Sequence, residues 1–183
     1  MPPTLYAAVK LALQNKGSRL PAATKSQVLQ ETAALLNGAF QPFLAGNFTT
    51  DGAEIKGILM VQETPRLIQL IQLVDLEMNP ARFNYALGVG SISGKMDPEA
   101  YEESGPAWTR VNRALKEAAR GNQDIVVRLP SSFLTRTVNT LFAIESDLRS
   151  VAAGQRRRQA DCHDRAEAAR ESAEIHAHSS SPE

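Results

Sequence analysis

The sequence predicts an α+β fold of ferredoxin-like βαββαβ order, in which two helices cover one face of an antiparallel sheet. Apolar residues alternate near the N-terminus, as in a half-buried strand, and two later stretches carry apolar residues at helical spacing. Between those stretches lies Asp51-Gly52, a dipeptide typical of tight hairpin turns. The hairpin disfavours the alternative, a doubly wound parallel sheet, because it interrupts strict alternation of strands and helices.

The first half of the βαββαβ unit begins with a strand over residues 5–13. A long helix follows, and Gly46 would suit its C-cap. Its apolar positions are Val28, Leu35, Leu36, Phe40, Phe43 and Leu44. Residues 48–50 and 55–61 flank Asp51-Gly52 and predict the two strands of the hairpin.

The second half begins with Thr64-Pro65, which suits an N-cap followed by proline at the first helical position. The apolar stripe of this second helix comprises Leu67, Ile68, Leu70, Ile71, Val74 and Met78. Residues 83–90 alternate again, with small residues on one face, and predict the fourth strand. Gly88 and Gly90 in this strand would admit either a packed helix or a ligand, and the helix is favoured.

Three further elements are predicted after the βαββαβ unit. A third helix begins at Pro106 and docks through Val111, Leu115 and Ala118, with Trp108 near its first turn. A short strand over 124–129 and a fourth helix from Ser131 to about 151 complete the domain. The core residues expected from that helix are Val138, Leu141, Phe142, Ile144, Leu148 and Val151.

The domain is expected to span residues 1–154, and residues 155–183 read as a polar, partly disordered tail. The 183 residues carry 20 Lys+Arg and 20 Asp+Glu, without the basic excess of a duplex-wrapping protein. The run 67–76 is too short and polar to cross a membrane, and we expect a cytoplasmic protein. Cys162 is the single cysteine and cannot form an internal disulfide.

Three segments in order, FTTDGAEIKGIL, RFNYALGVGSIS and GPAWTRVNRAL, resemble the SatD family of bacterial proteins. The resemblance covers roughly residues 5–150. The positions that match its motifs are Ser18, Arg19, Gly52, Glu54, Gly57, Arg82, Gly88, Gly90, Gly105, Pro106 and Ala107.

The hairpin and the glycine-containing strand also look like the palm domain of nucleotidyl and diguanylate cyclases. That resemblance implies acidic residues on the first strand and at the hairpin, where they would hold two metal ions for phosphoryl transfer. Here the first acidic residue in the chain is Glu31, and Ala53 and Ser104 stand where the SatD pattern has acids. The sequence therefore predicts no catalytic residue and no metal site.

Nucleotide or phosphate binding is nevertheless expected at residues around the first turn and the hairpin. The predicted contacts are Ser18, Arg19, Asp51, Glu54, Lys56 and Gly90. A plainer interpretation makes Asp51 a turn former and Glu54 a solvated strand end. Lys10, Lys16 and Lys25 are explained equally by phosphate binding and by a solvated strand edge.

The tail holds Cys162 and all three histidines, without the paired spacing of a structural zinc site. SatD-like chains continue into a helix-turn-helix after the fourth helix, and Gln155 to Gln159 resembles its start. Residues 160–183 offer one large aliphatic side chain, Ile175, so the DNA-reading module is expected to be missing or degraded.

The leading expectation is a non-catalytic regulatory or interaction module of SatD type that binds a nucleotide and needs no cofactor. The first alternative is a nucleotide-processing enzyme that uses Asp51 and Glu54 with Mg²⁺. The second is a DNA-associated transcriptional regulator that contacts phosphates through Arg156, Arg157 and Arg158.

Overall fold

The computed structural model describes residues 3–14, 21–94, 97, 99, 101–121 and 123–146. Ser18, Arg19 and Lys16, the end of the fourth helix, and every predicted feature of the tail lie outside these residues. The chain divides into two compact units, Met1–Ala143 and Ile144–Glu183, and the first contains the sheet. In the described part of the chain, no helix is long and apolar enough to cross a membrane.

The described residues contain five strands and four α-helices. They are β1 (Tyr6–Leu13), α1 (Ala22–Phe40), β2 (Leu44–Thr50), β3 (Glu54–Met60), α2 (Leu67–Glu77), β4 (Phe83–Gly90), α3 (Pro106–Arg120), β5 (Ile125–Arg128) and α4 (132–146). Short 3₁₀ helices over Gln41–Phe43 and Val61–Arg66 precede β2 and α2.

The sheet has the strand order β2-β3-β1-β4-β5. Strands β1 to β4 pair with one another in antiparallel fashion, which is the ferredoxin-like arrangement that the sequence predicts. The fifth strand extends the sheet by pairing parallel to β4, from Tyr85↔Ile125 to Gly88↔Arg128. The alternative of a doubly wound parallel sheet is therefore wrong.

Helices cover both faces of the sheet. On one face α1 and α2 bury their apolar stripes in the larger core. On the other face α3 buries Trp108, Val111 and Leu115 against the small residues Ala8 and Ala86. The third helix begins at Pro106 and docks through Val111, Leu115 and Ala118, so that prediction is confirmed.

Gly88 lets α3 approach β4 closely. A Cβ at Gly88 would lie 2.5 Å from the carbonyl oxygen of Ala107, an atom of the α3 backbone that cannot move alone. A Cβ at Gly90 would lie 2.8 Å from the amide nitrogen of Ala107. The predicted reason for these glycines, packing of a helix on the strand, is confirmed.

At each edge of the sheet, an asparagine side chain forms hydrogen bonds with the backbone N–H and carbonyl of one residue of the edge strand. At the β2 edge, Asn37 donates to the carbonyl of Phe48 (2.8 Å) and accepts from its N–H (2.7 Å). At the β5 edge, Asn139 donates to the carbonyl of Val127 (2.8 Å) and accepts from its N–H (2.7 Å). Each amide takes the place of a neighbouring strand, which reduces the tendency of exposed edges to pair with other chains.

Several predicted boundaries are wrong near prolines. The first helix ends at Phe40, because Pro42 lacks the N–H that would continue the helical hydrogen bonding. Gly46 therefore lies inside β2 and does not cap the helix. Thr64 and Pro65 belong to a 3₁₀ helix, and α2 begins two residues later at Leu67.

The packing of α4 also differs from the prediction. Val138 and Phe142 pack against the larger core. Leu141 and Ile144, which were expected in the core, are 62% and 52% exposed. These two residues lie on a different face of the helix from Val138 and Phe142, and only one face of a helix can contact the sheet.

Candidate functional site

A lysine occupies the centre of the sheet on the face that α3 covers. Lys10 lies in β1, the central strand, and is only 7% exposed. Its register partners are Lys56 on β3 and Ala86 on β4. Lys10 is therefore not at a solvated strand edge, and that interpretation of the residue is wrong.

Two glutamates neutralise this lysine and its neighbour. The Nζ of Lys10 lies 3.1 Å from Oε2 of Glu54 and 2.8 Å from Oε2 of Glu103. The Nζ of Lys56 lies 2.6 Å from Oε1 of Glu103. We call these four residues the Lys10 cluster. Its two cations and two anions give no net charge.

Two aromatic rings lie beside the Lys10 cluster. Tyr101 stacks on Trp108 with 5.7 Å between ring centroids and 15° between planes. The Nζ of Lys10 lies 5.8 Å from the centroid of Trp108, within the range of a cation–π interaction. The Tyr101 hydroxyl lies 2.9 Å from the carbonyl oxygens of both Asn47 and Lys56. The segment before α3 is thereby fastened across β2 and β3.

Burial and pairing set the charge states of the cluster. Burial lowers the pKa of Lys10, but hydrogen bonds to Glu103 and Glu54 outweigh it and hold that pKa above its ordinary value. Burial raises the pKa of Glu103, and its bonds to Lys10 and Lys56 outweigh that effect and lower it. Burial and the charge of Glu103 raise the pKa of Tyr101 to about 12. Lys10 and Glu103 are therefore both charged near neutral pH.

The hairpin carboxylates have separate structural roles. The Oδ1 of Asp51 accepts the N–H groups of Ala53 (3.0 Å) and Glu54 (3.1 Å), and these bonds lower the pKa of Asp51. Gly52 takes a positive φ of 90°, as the turn requires. The interpretation of Asp51 as a turn former is confirmed. Glu54 does begin β3, as that interpretation has it, but its side chain is only 34% exposed and pairs with Lys10.

The remaining predicted nucleotide contacts, Lys56 and Gly90, lie in different parts of the fold. Lys56 joins Glu54 in the Lys10 cluster, whereas Gly90 lies at the end of β4 against the first turn of α3. Within the described residues, no group of three or more His, Cys, Asp or Glu side chains could hold a metal ion.

The sequence analysis missed two members of the cluster, Lys10 as its centre and Glu103 as its bridge. A signal for Lys10 was present, since it interrupts an otherwise apolar alternation between Ala8 and Ala12. Glu103 gave no such signal, because it comes from an irregular segment whose position depends on the tertiary fold.

Comparison with known proteins finds a distant similarity to a solved structure. No known family's sequence profile matches this chain, and no curated protein matches it. The guanylyl cyclase Cya2 matches with a TM-score of 0.41 and 14% sequence identity, over 67% of this chain and 74% of the cyclase chain. The resemblance to the SatD family thus stays a prediction.

Proposed function

We propose that this chain is a non-catalytic palm-like domain that acts as a regulatory or interaction module of SatD type. The observation that carries the proposal is Lys10 at the centre of the sheet, paired with Glu54 and Glu103. Two-metal phosphoryl transfer needs carboxylates whose oxygens are free to bind cations. In this domain a buried cation takes the central position.

Both hairpin carboxylates already bind other groups of the domain. A cation bound to Glu54 would compete with the Nζ of Lys10, 3.1 Å from Oε2 of that glutamate, and like charges at such distances repel strongly when buried. At Asp51, Oδ1 already accepts the two backbone N–H groups that form the turn, so a cation would have only Oδ2 left to bind. These contacts favour a structural role over the Mg²⁺-dependent enzyme.

The surface of α4 favours the interaction role. Leu134 and Leu141 are 50% and 62% exposed and lie two turns apart on one side of this helix, and Phe133, next to Leu134 in sequence, is 75% exposed. Exposed apolar residues grouped in this way are typical of protein interaction surfaces.

The experiment that tests the proposal is a turnover assay on the full chain with each nucleoside triphosphate and Mg²⁺ or Mn²⁺. We expect no metal-dependent product. Turnover that is lost in Glu54→Gln and kept in Glu77→Gln, a matched change at an exposed position at the end of α2, would overturn the proposal and establish the enzyme.

The predicted nucleotide contacts and the DNA alternative are tested by binding. If the hairpin holds a nucleotide, Lys56→Met should weaken its binding and Lys25→Met, on the opposite face of the sheet, should not. Salt-sensitive binding of duplex DNA that disappears after Arg156, Arg157 and Arg158 are replaced by alanine would support the transcriptional regulator instead.

A further inference from the structure

A second charged region lies on the same face of the sheet, between α3, the end of β5 and α4. It is a cleft of about 560 Å³. Four arginines and one glutamate line it: Arg110, Arg113, Arg128, Arg136 and Glu117. We call this region the arginine cleft. Its formal charge is +3, although the whole chain has equal numbers of acidic and basic residues.

The arginines of the cleft are incompletely paired. Arg128 donates from Nη2 to Glu117, but its Nε is buried and has no hydrogen-bond partner among the described residues. Such a donor is costly to leave unsatisfied. Arg113 and Arg136 are exposed and form no ion pair within the described part of the chain.

The fold fixes Arg110 and the walls of the cleft before any ligand arrives. Arg110 is fixed by a 2.7 Å hydrogen bond from Nη1 to the carbonyl of Val89 at the end of β4. Asn139 joins α4 to β5 through its two bonds to Val127, so the wall that carries Arg136 is tied to the strand that carries Arg128. Preorganised donors lower the entropic cost of binding.

We propose that the arginine cleft binds a small ligand bearing two or more phosphate groups. Guanidinium groups bind phosphate oxygens through paired, charge-assisted hydrogen bonds, and a local charge of +3 suits a multiply charged anion better than a single carboxylate. The volume falls within the range of small-molecule sites. A concave site with converging arginines fits a small molecule better than a duplex, which would need cations spread along a surface.

This inference is independent of the proposed function, because it uses none of the residues of the Lys10 cluster. The test is calorimetric titration of the full chain with inorganic triphosphate, a nucleoside triphosphate and the free nucleoside at low salt. Inorganic triphosphate tests the phosphate chemistry alone. The two nucleoside ligands show whether a base adds affinity.

We expect both triphosphates to bind, with affinity that falls as salt rises, and no binding of the free nucleoside. The double variant Arg113→Ala/Arg136→Ala removes two exposed cations and should weaken binding by about tenfold or more. The control Lys25→Ala/Arg66→Ala removes two cations from the opposite face of the sheet and should bind as the wild type does.

The proposal would be overturned by the absence of triphosphate binding at low salt. It would also be overturned by equal binding of triphosphate to the wild type and to the Arg113→Ala/Arg136→Ala variant. Duplex DNA binding through the same arginines more tightly than triphosphate would overturn it as well, and would make the cleft part of a nucleic-acid surface.

Discussion

The Lys10 cluster and the arginine cleft lie on the same face of the sheet and differ in how their charges are paired. In the Lys10 cluster two lysines meet two glutamates within 3.1 Å, and Lys10 is nearly inaccessible. The arginine cleft is lined by four arginines and one glutamate, Glu117, which pairs with Arg128. A buried cation is tolerated only with partners, whereas an exposed arginine can stay unpaired in water. Pairing, and not the number of charges, separates a structural cluster from a candidate binding site.

The largest expected effect comes from removing the anions of the Lys10 cluster. The double variant Glu54→Ala/Glu103→Ala leaves Lys10 buried and unpaired, and should lower the free energy of unfolding by about 3–5 kcal/mol. Urea denaturation measures this change. Adding Lys10→Met to the same background should restore most of the loss, because it removes the unpaired charge. Little or no recovery would mean that the glutamates stabilise the fold in some other way.

A slightly smaller effect is expected where α3 meets the sheet. This helix places Trp108 beside Lys10 and lines the arginine cleft. Gly88→Ala places a Cβ against the backbone of Ala107 and should cost about 3 kcal/mol, since the helix must shift as a unit. Thermal melting measures the loss. Gly38→Ala is the control, because a Cβ there meets no atom within 4 Å and should be tolerated. Equal melting temperatures for the two variants would contradict the close packing of α3.

Alkaline pH should weaken the segment before α3. The pKa of Tyr101 is about 12 in the folded protein against 10.0 ordinarily, so the unfolded chain loses this proton first as pH rises. The contribution of this residue is fully present below pH 10.0 and is lost as pH rises towards 12, by about 3 kcal/mol at most. Stability measured against pH checks this, and Tyr101→Phe should flatten the decline. An unchanged slope in that variant would assign the decline to other groups.

The smallest effect is expected in the arginine cleft. Arg113→Ala/Arg136→Ala should change the free energy of unfolding by no more than about 0.5 kcal/mol, because both side chains are exposed and no ion pair is lost. Urea denaturation beside the wild type is the measurement. A loss as large as that of the glutamate double variant would show that these arginines are structural.

The sequence predicted the fold better than the site, for physical reasons. The alternation in β1, the hairpin at Asp51-Gly52 and the proline at the start of α3 are local signals, and local sequence decides them. The Lys10 cluster joins residues 44 and 47 positions apart, and the arginine cleft joins three elements whose packing no local pattern specifies. Leu141 illustrates the same limit, since the start of its helix was predicted and the exposure of Leu141 was not.

The most direct measurement is the shift in melting temperature that inorganic triphosphate causes in Lys56→Met and in Arg113→Ala/Arg136→Ala. A ligand that binds only the folded state raises its apparent stability. If the Lys10 cluster is structural and the arginine cleft binds phosphate, Lys56→Met keeps the shift and Arg113→Ala/Arg136→Ala loses it. A shift that is lost in Lys56→Met and kept in the arginine variant would contradict the account and place the phosphate site at the hairpin.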